Sequence, residues 1–103
     1  MKLEKFSVHL SQEDVMDVMM LIKGGIIVKF ALNYRTLINK KWEVVYRGDN
    51  FHGFLHEQRF RISSKPRPLI NEESFPLASI VAEYYKFIKE NFQKYKTYFM
   101  RRR

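Results

Sequence analysis

The stretch Ile26-Ile27-Val28-Lys29-Phe30-Ala31-Leu32-Asn33-Tyr34-Arg35 decides the fold class. Val28, Phe30, Leu32 and Tyr34 recur at every second position, and Lys29, Ala31, Asn33 and Arg35 fall between them. That period of two places alternate side chains on opposite faces of a strand. Downstream, Asn39-Lys40 reads as a hairpin turn, because Asn tolerates positive φ. Trp42, Val44 and Tyr46 then alternate with Glu43, Val45 and Arg47. Gly48-Asp49-Asn50 marks a further loop, and Phe54 to Ile62 reads as a third strand, with Phe54, His56, Gln58, Phe60 and Ile62 sharing one face. Three consecutive antiparallel strands make a meander.

Upstream, Phe6, Val8 and Leu10 alternate in a short strand over Lys5–Leu10. Ser11 stands three residues before Asp14, as a helix cap with acidic first-turn residues would. Val15, Val18, Met19 and Ile22 follow at helical spacing, and Gly24-Gly25 would close the run. A helix from Gln12 to Lys23 is expected. Pro66 and Pro68 exclude a central strand from the segment 63–74. Leu77, Ile80, Val81, Tyr84, Phe87, Ile88, Phe92, Tyr95 and Phe99 then trace an apolar stripe at spacings of three and four, the pattern of a long helix, which Ser74 would cap with Pro76 in its first turn. The expected fold is a single α+β domain over residues 1–103. It comprises a three- to four-stranded antiparallel meander packed against a long C-terminal helix, with a short N-terminal helix and a basic tail at Arg101-Arg102-Arg103.

Composition narrows the function classes. The chain has 103 residues, no cysteine and a formal charge of +8. One domain is what that length sustains. Without cysteine there is no disulfide scaffold, thiolate metal site or cysteine nucleophile. Four glycines include no Gly-rich phosphate loop. The apolar runs near Val15–Ile22 and Gly24–Leu32 are interrupted by Asp17, Lys23 and Lys29, and Met1–Lys5 has no apolar signal core, so a cytoplasmic protein without membrane contact is expected. Residues 1–26 are slightly acidic and residues 27–103 carry sixteen basic against seven acidic side chains. Such an excess attracts polyanions, of which nucleic acid is the commonest for a cytoplasmic protein.

The polar groups usually recruited for phosphate chemistry crowd into Tyr46–Arg61. If the chain turns between Gly48 and Gly53, then Arg47, Asp49, His52 and His56 share one edge of the sheet. Two imidazoles divide general-base and general-acid duties in RNA cleavage through the 2′-hydroxyl, with Asp49 beside them, and that chemistry needs no metal or other cofactor. Arg47, Asn50, Arg59 and Arg61 would hold the phosphate. Plainer readings stand beside these. His56 shares its face with apolar residues and suits a half-buried structural role. Asp49-Asn50 is ordinary turn chemistry, and Arg59 and Arg61 alternate as a solvated strand face would. A metal held by His52 and His56 with Asp49 or Glu57 is disfavoured, because that histidine spacing suits a helix and Gly53 argues for none. Tyr84, Tyr85, Tyr95 and Tyr98 could stack on bases but fit a core stripe better.

The run Val45-Tyr46-Arg47-Gly48-Asp49-Asn50-Phe51-His52-Gly53-Phe54-Leu55-His56, after the hairpin from Tyr34 to Trp42, resembles an R-Y-D-N-x-H-G-x-x-H signature of small uncharacterised prokaryotic proteins. It looks similar to TumE-like toxins of toxin–antitoxin modules, over roughly Ile26 to Phe92. Arg47, Asp49, Asn50, His52 and His56 match the signature, whereas Gly48 replaces its Tyr and one histidine follows Gly53 where those families often place two. The resemblance implies a toxin-like protein acting on RNA or translation and neutralised by a cognate antitoxin. Three classes follow: a metal-independent ribonuclease, a non-catalytic nucleic-acid-binding module, and an interaction protein. In the last, the C-terminal helix docks on another chain or forms a homodimer.

Overall fold

The computed structural model describes residues 1–51, 56–59, 67–68 and 77–101. Among these residues six strands, β1 (Lys2–His9), β2 (Asp14–Lys23), β3 (Ile26–Ile38), β4 (Lys41–Asp49), β5 (His56–Arg59) and β6 (Arg67–Pro68), precede one helix, α1 (Leu77–Arg101). The strands lie in chain order in one sheet, each antiparallel to the next. Four long strands with a long C-terminal helix make the α+β architecture that the alternating and 3.6-residue periods predict. Proline sits in β6 at the end of the strand order, where a missing N–H interrupts no inner ladder. The expected strand from Phe54 to Ile62 is described only as β5, and the Ser74–Pro76 cap lies outside the described residues.

The segment expected to be the N-terminal helix is β2. Its apolar residues satisfy both periods: 15, 18, 19 and 22 read as a helix face, and 16, 18, 20 and 22 as a strand face. Pairing decides between them, since β2 is hydrogen-bonded to β1 on one side and β3 on the other, and β-branched Val15, Val18 and Ile22 suit a pleated interior strand. Ser11 does not cap a helix. Its Oγ accepts from Glu13 N at 3.1 Å and donates to Asp14 Oδ2, while Leu10 N and Ser11 N both donate to Asp14 O, closing the β1–β2 turn. Gly24 and Gly25, at φ of 59° and 78°, form the two-residue turn into β3 rather than a helix C-cap. Asn39 and Lys40, at 52° and 65°, repeat that geometry at the expected β3–β4 hairpin.

The core lies between α1 and the face of the sheet that carries Met16, Val18, Phe30, Leu32, Tyr34 and Ile38. A β-bulge in β4 helps to fill it. Tyr34 pairs with Tyr46 and Arg35 with Val44, so Val45 is the extra residue, and both Val45 and Tyr46 are buried in the core. From the helix, Ile80, Val81, Tyr84, Ile88, Tyr95 and Phe99 are buried. Tyr95 stacks on Tyr46 at 5.1 Å between ring centroids, while Tyr84 meets Phe30, and Phe92 meets Tyr34, edge-on at 6.0 Å. Gly48 permits a close approach of the helix: a Cβ there would lie 2.9 Å from two ring carbons of Tyr84. The helix packs mainly on β3 and then β4, leaving Phe6 of β1 exposed. Phe87, expected in the buried stripe, is 47% exposed. Among the described residues no helix is long and apolar enough to cross a membrane.

Candidate functional site on the open face of the sheet

Side chains alternate across a sheet, so residues directly opposite one another in neighbouring antiparallel strands share a face. Ser7 pairs with Asp17, Asp17 with Asn33, Asn33 with Arg47, and Arg47 with Gln58. For Ser7, Asp17, Asn33 and Arg47 this register draws a polar row across four strands on the face opposite α1, and Gln58 of β5 is the register partner of Arg47. One step along, Lys5, Met19, Ala31 and Asp49 form the adjacent row, and His56 is the register partner of Asp49.

Specific bonds lock the first row. Ser7 Oγ donates to Asp17 Oδ1 at 2.7 Å, and Arg35 donates from Nε to Asp17 Oδ2 at 2.8 Å and from Nη2 to Oδ1 at 3.4 Å. The Arg35 guanidinium also lies 4.7 Å from the centroid of the Trp42 ring. Arg47 Nη1 approaches Asn33 Oδ1 at 3.5 Å, and Arg47 Nε donates to Asp49 Oδ2. Asp49 is fully buried and also accepts from Phe51 N at 3.1 Å. Between β1, β2 and β3, the same face holds an open depression of about 380 Å³ lined by Lys5, Ser7, Asp17, Met19, Ala31 and Asn33.

The expected constellation is brought together in part. Arg47 and Asp49 are bonded, and His56 is the register partner of Asp49. Asn50 serves β3: its backbone N donates to Phe30 O at 3.3 Å, its Oδ1 accepts from Phe30 N at 2.8 Å, and its Nδ2 donates to Val28 O at 3.3 Å. The side-chain amide thereby continues the ladder beyond the end of β4. Arg59 is the register partner of Tyr46, whereas Arg47 pairs with Gln58. His52 and Arg61 lie outside the described residues. Of the four tyrosines weighed for base stacking, Tyr84 and Tyr95 are buried against the sheet, and Tyr98 is the most exposed. Among the described residues no group of three or more histidine, aspartate or glutamate side chains is placed to hold a metal ion.

A second polar cluster, on the helix side, has no precedent in the sequence reading. Buried Asp14 accepts from Tyr34 Oη at 2.6 Å and from Thr36 Oγ1 at 2.8 Å through Oδ1, and from Ser11 through Oδ2. Lys96 of α1 stands 3.9 Å from Asp14 and 3.5 Å from Glu13. Burial pushes the Asp14 carboxyl up, but the three hydroxyl donors and the Lys96 charge outweigh it and hold the group below its ordinary 3.8. Burial, and then the Asp14 carboxylate it bonds, push the Tyr34 hydroxyl far above its ordinary 10.0. The Ser-x-x-Asp spacing that signals a helix cap also serves this turn, and the partners Tyr34, Thr36 and Lys96 are distant in sequence. No local pattern announces the cluster.

No curated protein and no solved structure matches the chain. A family model matches residues 1–103, and the chain therefore belongs to the DUF7718 family, a domain of unknown function.

Proposed function

We propose that this protein is the toxin-like component of a prokaryotic toxin–antitoxin module and acts in the cytoplasm on RNA, cleaving it without a metal. The observation that carries the reading is the register of β4 against β5, which sets His56 opposite Asp49 and one step from Arg47. In this reading His56 takes the proton of a ribose 2′-hydroxyl and the 2′-oxygen attacks the adjacent phosphorus. His52 returns a proton to the departing 5′-oxygen, leaving a 2′,3′-cyclic phosphate. Asp49 fixes Arg47, whose guanidinium has five donors and so retains some for the phosphate beyond those given to Asp49 and Asn33. Asn50, Arg59 and Arg61 extend the phosphate contacts, and the charge of +8 draws the polyanion in. The exposed flank of α1 at Phe87 and Tyr98 is the surface offered to the antitoxin or to a second copy.

One observation favours a non-catalytic nucleic-acid-binding module instead: Arg47 is bonded to a fully buried carboxylate, as a structural ion pair would be. Incubating RNA with the purified protein in EDTA, wild type beside His52→Ala/His56→Ala, separates the two. Cleavage by the wild type alone supports the nuclease. Cleavage by neither, including on repetition with Mg²⁺ or Mn²⁺, leaves the binding module.

A further inference from the structure

β1 ends the strand order, so among the described residues its outer edge has no neighbouring strand. Such an edge presents a row of unpaired N–H and C=O groups, which proteins blunt with proline, a bulge or charged side chains. The opposite end of the order carries one of these devices in Pro68 of β6. β1 runs for eight residues, Lys2–His9, without a proline, and pairs with β2 without a register shift. Its apolar side chains lie open on both faces, with Leu3 53% and Phe6 45% exposed. Since α1 packs mainly on β3 and β4, the helix leaves this edge clear.

We propose that β1 pairs antiparallel with β1 of a second copy of this chain, joining two sheets into one across a two-fold axis that sets Phe6 against Phe6. Symmetry limits the choice of register. Opposite residues share a face and the two-fold keeps each residue on its own face, so the axis must set some residue against its own copy. Two such registers overlap most of the strand. Centring on Lys5 opposes two ammonium groups, which is destabilising. Centring on Phe6 opposes no like charges: Lys5 meets Ser7, Glu4 meets Val8, and Leu3 meets His9. The charges of β1 thus exclude the neighbouring register and leave this one open. Phe6 is opposite Val18 of the core face, so the aromatic pair forms on the α1 side and covers two exposed rings at once. On the other face Lys5 is set opposite Ser7, whose hydroxyl is bonded to Asp17, so the ammonium approaches a carboxylate of the second copy rather than another ammonium. This self-complementarity selects a second copy over a foreign strand. The inference is independent of the RNA reading and leaves the α1 flank to another partner.

The chain has no cysteine, so a single introduced thiol reports the register. Directly opposite residues have Cα atoms about 4.5–5.5 Å apart, within the range of a disulfide, whereas diagonal ones at about 7–8 Å lie outside it. With reduced and oxidised glutathione present, Phe6→Cys should cross-link to a covalent dimer about tenfold or more faster than Lys5→Cys. Sedimentation of the unmodified protein should show its mass rising from monomer to dimer across about a hundredfold range of concentration. Phe6→Lys and Phe6→Glu should each sediment as monomers, and an equimolar mixture of the two should recover the dimer, because unlike charges then meet at the axis. That recovery also shows that both variants fold; should either fail to fold, the two cysteine variants decide. A wild-type monomer at every concentration overturns the proposal. So does cross-linking of Lys5→Cys in place of Phe6→Cys, which places the axis elsewhere. A dimer that survives Phe6→Lys and is lost in Phe87→Ser also overturns it, by moving the interface to α1.

Discussion

Tyr34 Oη donates a 2.6 Å hydrogen bond to Asp14 Oδ1 from a side chain with no exposed surface. That bond joins the middle of β3 to the start of β2, and Lys96 brings the C-terminal half of α1 to the same point. Asp14→Ala would leave the buried Tyr34 hydroxyl without its acceptor, while Thr36 Oγ1 keeps Glu13 O at 3.1 Å, and an unsatisfied buried donor costs about 1–3 kcal/mol. The expected loss is about 2 kcal/mol in denaturant unfolding, with a smaller loss, about 1 kcal/mol, for Tyr34→Phe, which removes donor and hydroxyl together. A loss below about 0.5 kcal/mol for Asp14→Ala would mean that the cluster does not hold the fold.

The same cluster sets a pH dependence of definite sign. The Asp14 carboxyl titrates below its ordinary 3.8 in the fold. Its contribution is therefore complete above that value and is lost as pH falls through the lowered one. Tyr34 titrates above its ordinary 10.0, so its contribution is complete below pH 10.0 and is lost as pH rises beyond it. Unfolding midpoints across pH should decline at both ends. Asp14→Asn should flatten the acid limb, and Tyr34→Phe the alkaline one.

Two arginine–aspartate pairs on the open face should differ sharply in worth. Arg35 and Asp17 are each about one-third exposed at their side chains, at 31% and 34%, whereas Asp49, the partner of Arg47, is 0% exposed. Removing one partner of a solvated pair changes stability by about 1 kcal/mol or less. Removing the guanidinium from a buried carboxylate costs about 3–5 kcal/mol. Arg47→Ala should thus destabilise the protein several-fold more than Arg35→Ala in thermal or urea unfolding. Arg47→Lys should restore little, because an ammonium lacks the planar fork.

Gly48 lets the ring of Tyr84 lie close against the sheet. A methyl group at Gly48 would stand 2.9 Å from two carbons of a ring that is wedged against Phe30. Gly48→Ala should therefore destabilise by about 1–3 kcal/mol through overpacking. In a double-mutant cycle with Tyr84→Leu, the two losses should fall short of additive by about 1 kcal/mol, because the smaller side chain vacates the contested space.

The legible part of the fold was the part with one unambiguous period. The stripe from Leu77 to Phe99 fits only a helix, and Phe30, Leu32 and Tyr34 fit only a strand facing it; both are found so. Val15–Ile22 satisfied two periods at once, and what settled it is pairing with β1 and β3, a tertiary fact that no window of sequence contains. At the site, the Arg47–Asp49 bond spans two residues on one strand face and was within reach of the period. The use of Asn50 as a continuation of the β3 ladder was not, since its partners lie 20 and 22 residues away. The Asp14 cluster was hidden for the same reason, with its distant partners on β3 and α1.

The salt dependence of RNA binding supplies the last prediction. Each phosphate neutralised by a Lys or Arg releases counterions, so log K falls with log salt by about 0.7 per contact on a single strand. Arg59→Ala/Arg61→Ala should weaken binding to all sequences alike and flatten that slope by about 1.4. Titrations at four salt concentrations read the slope. An unchanged slope in the double arginine variant would remove Arg59 and Arg61 from the interface.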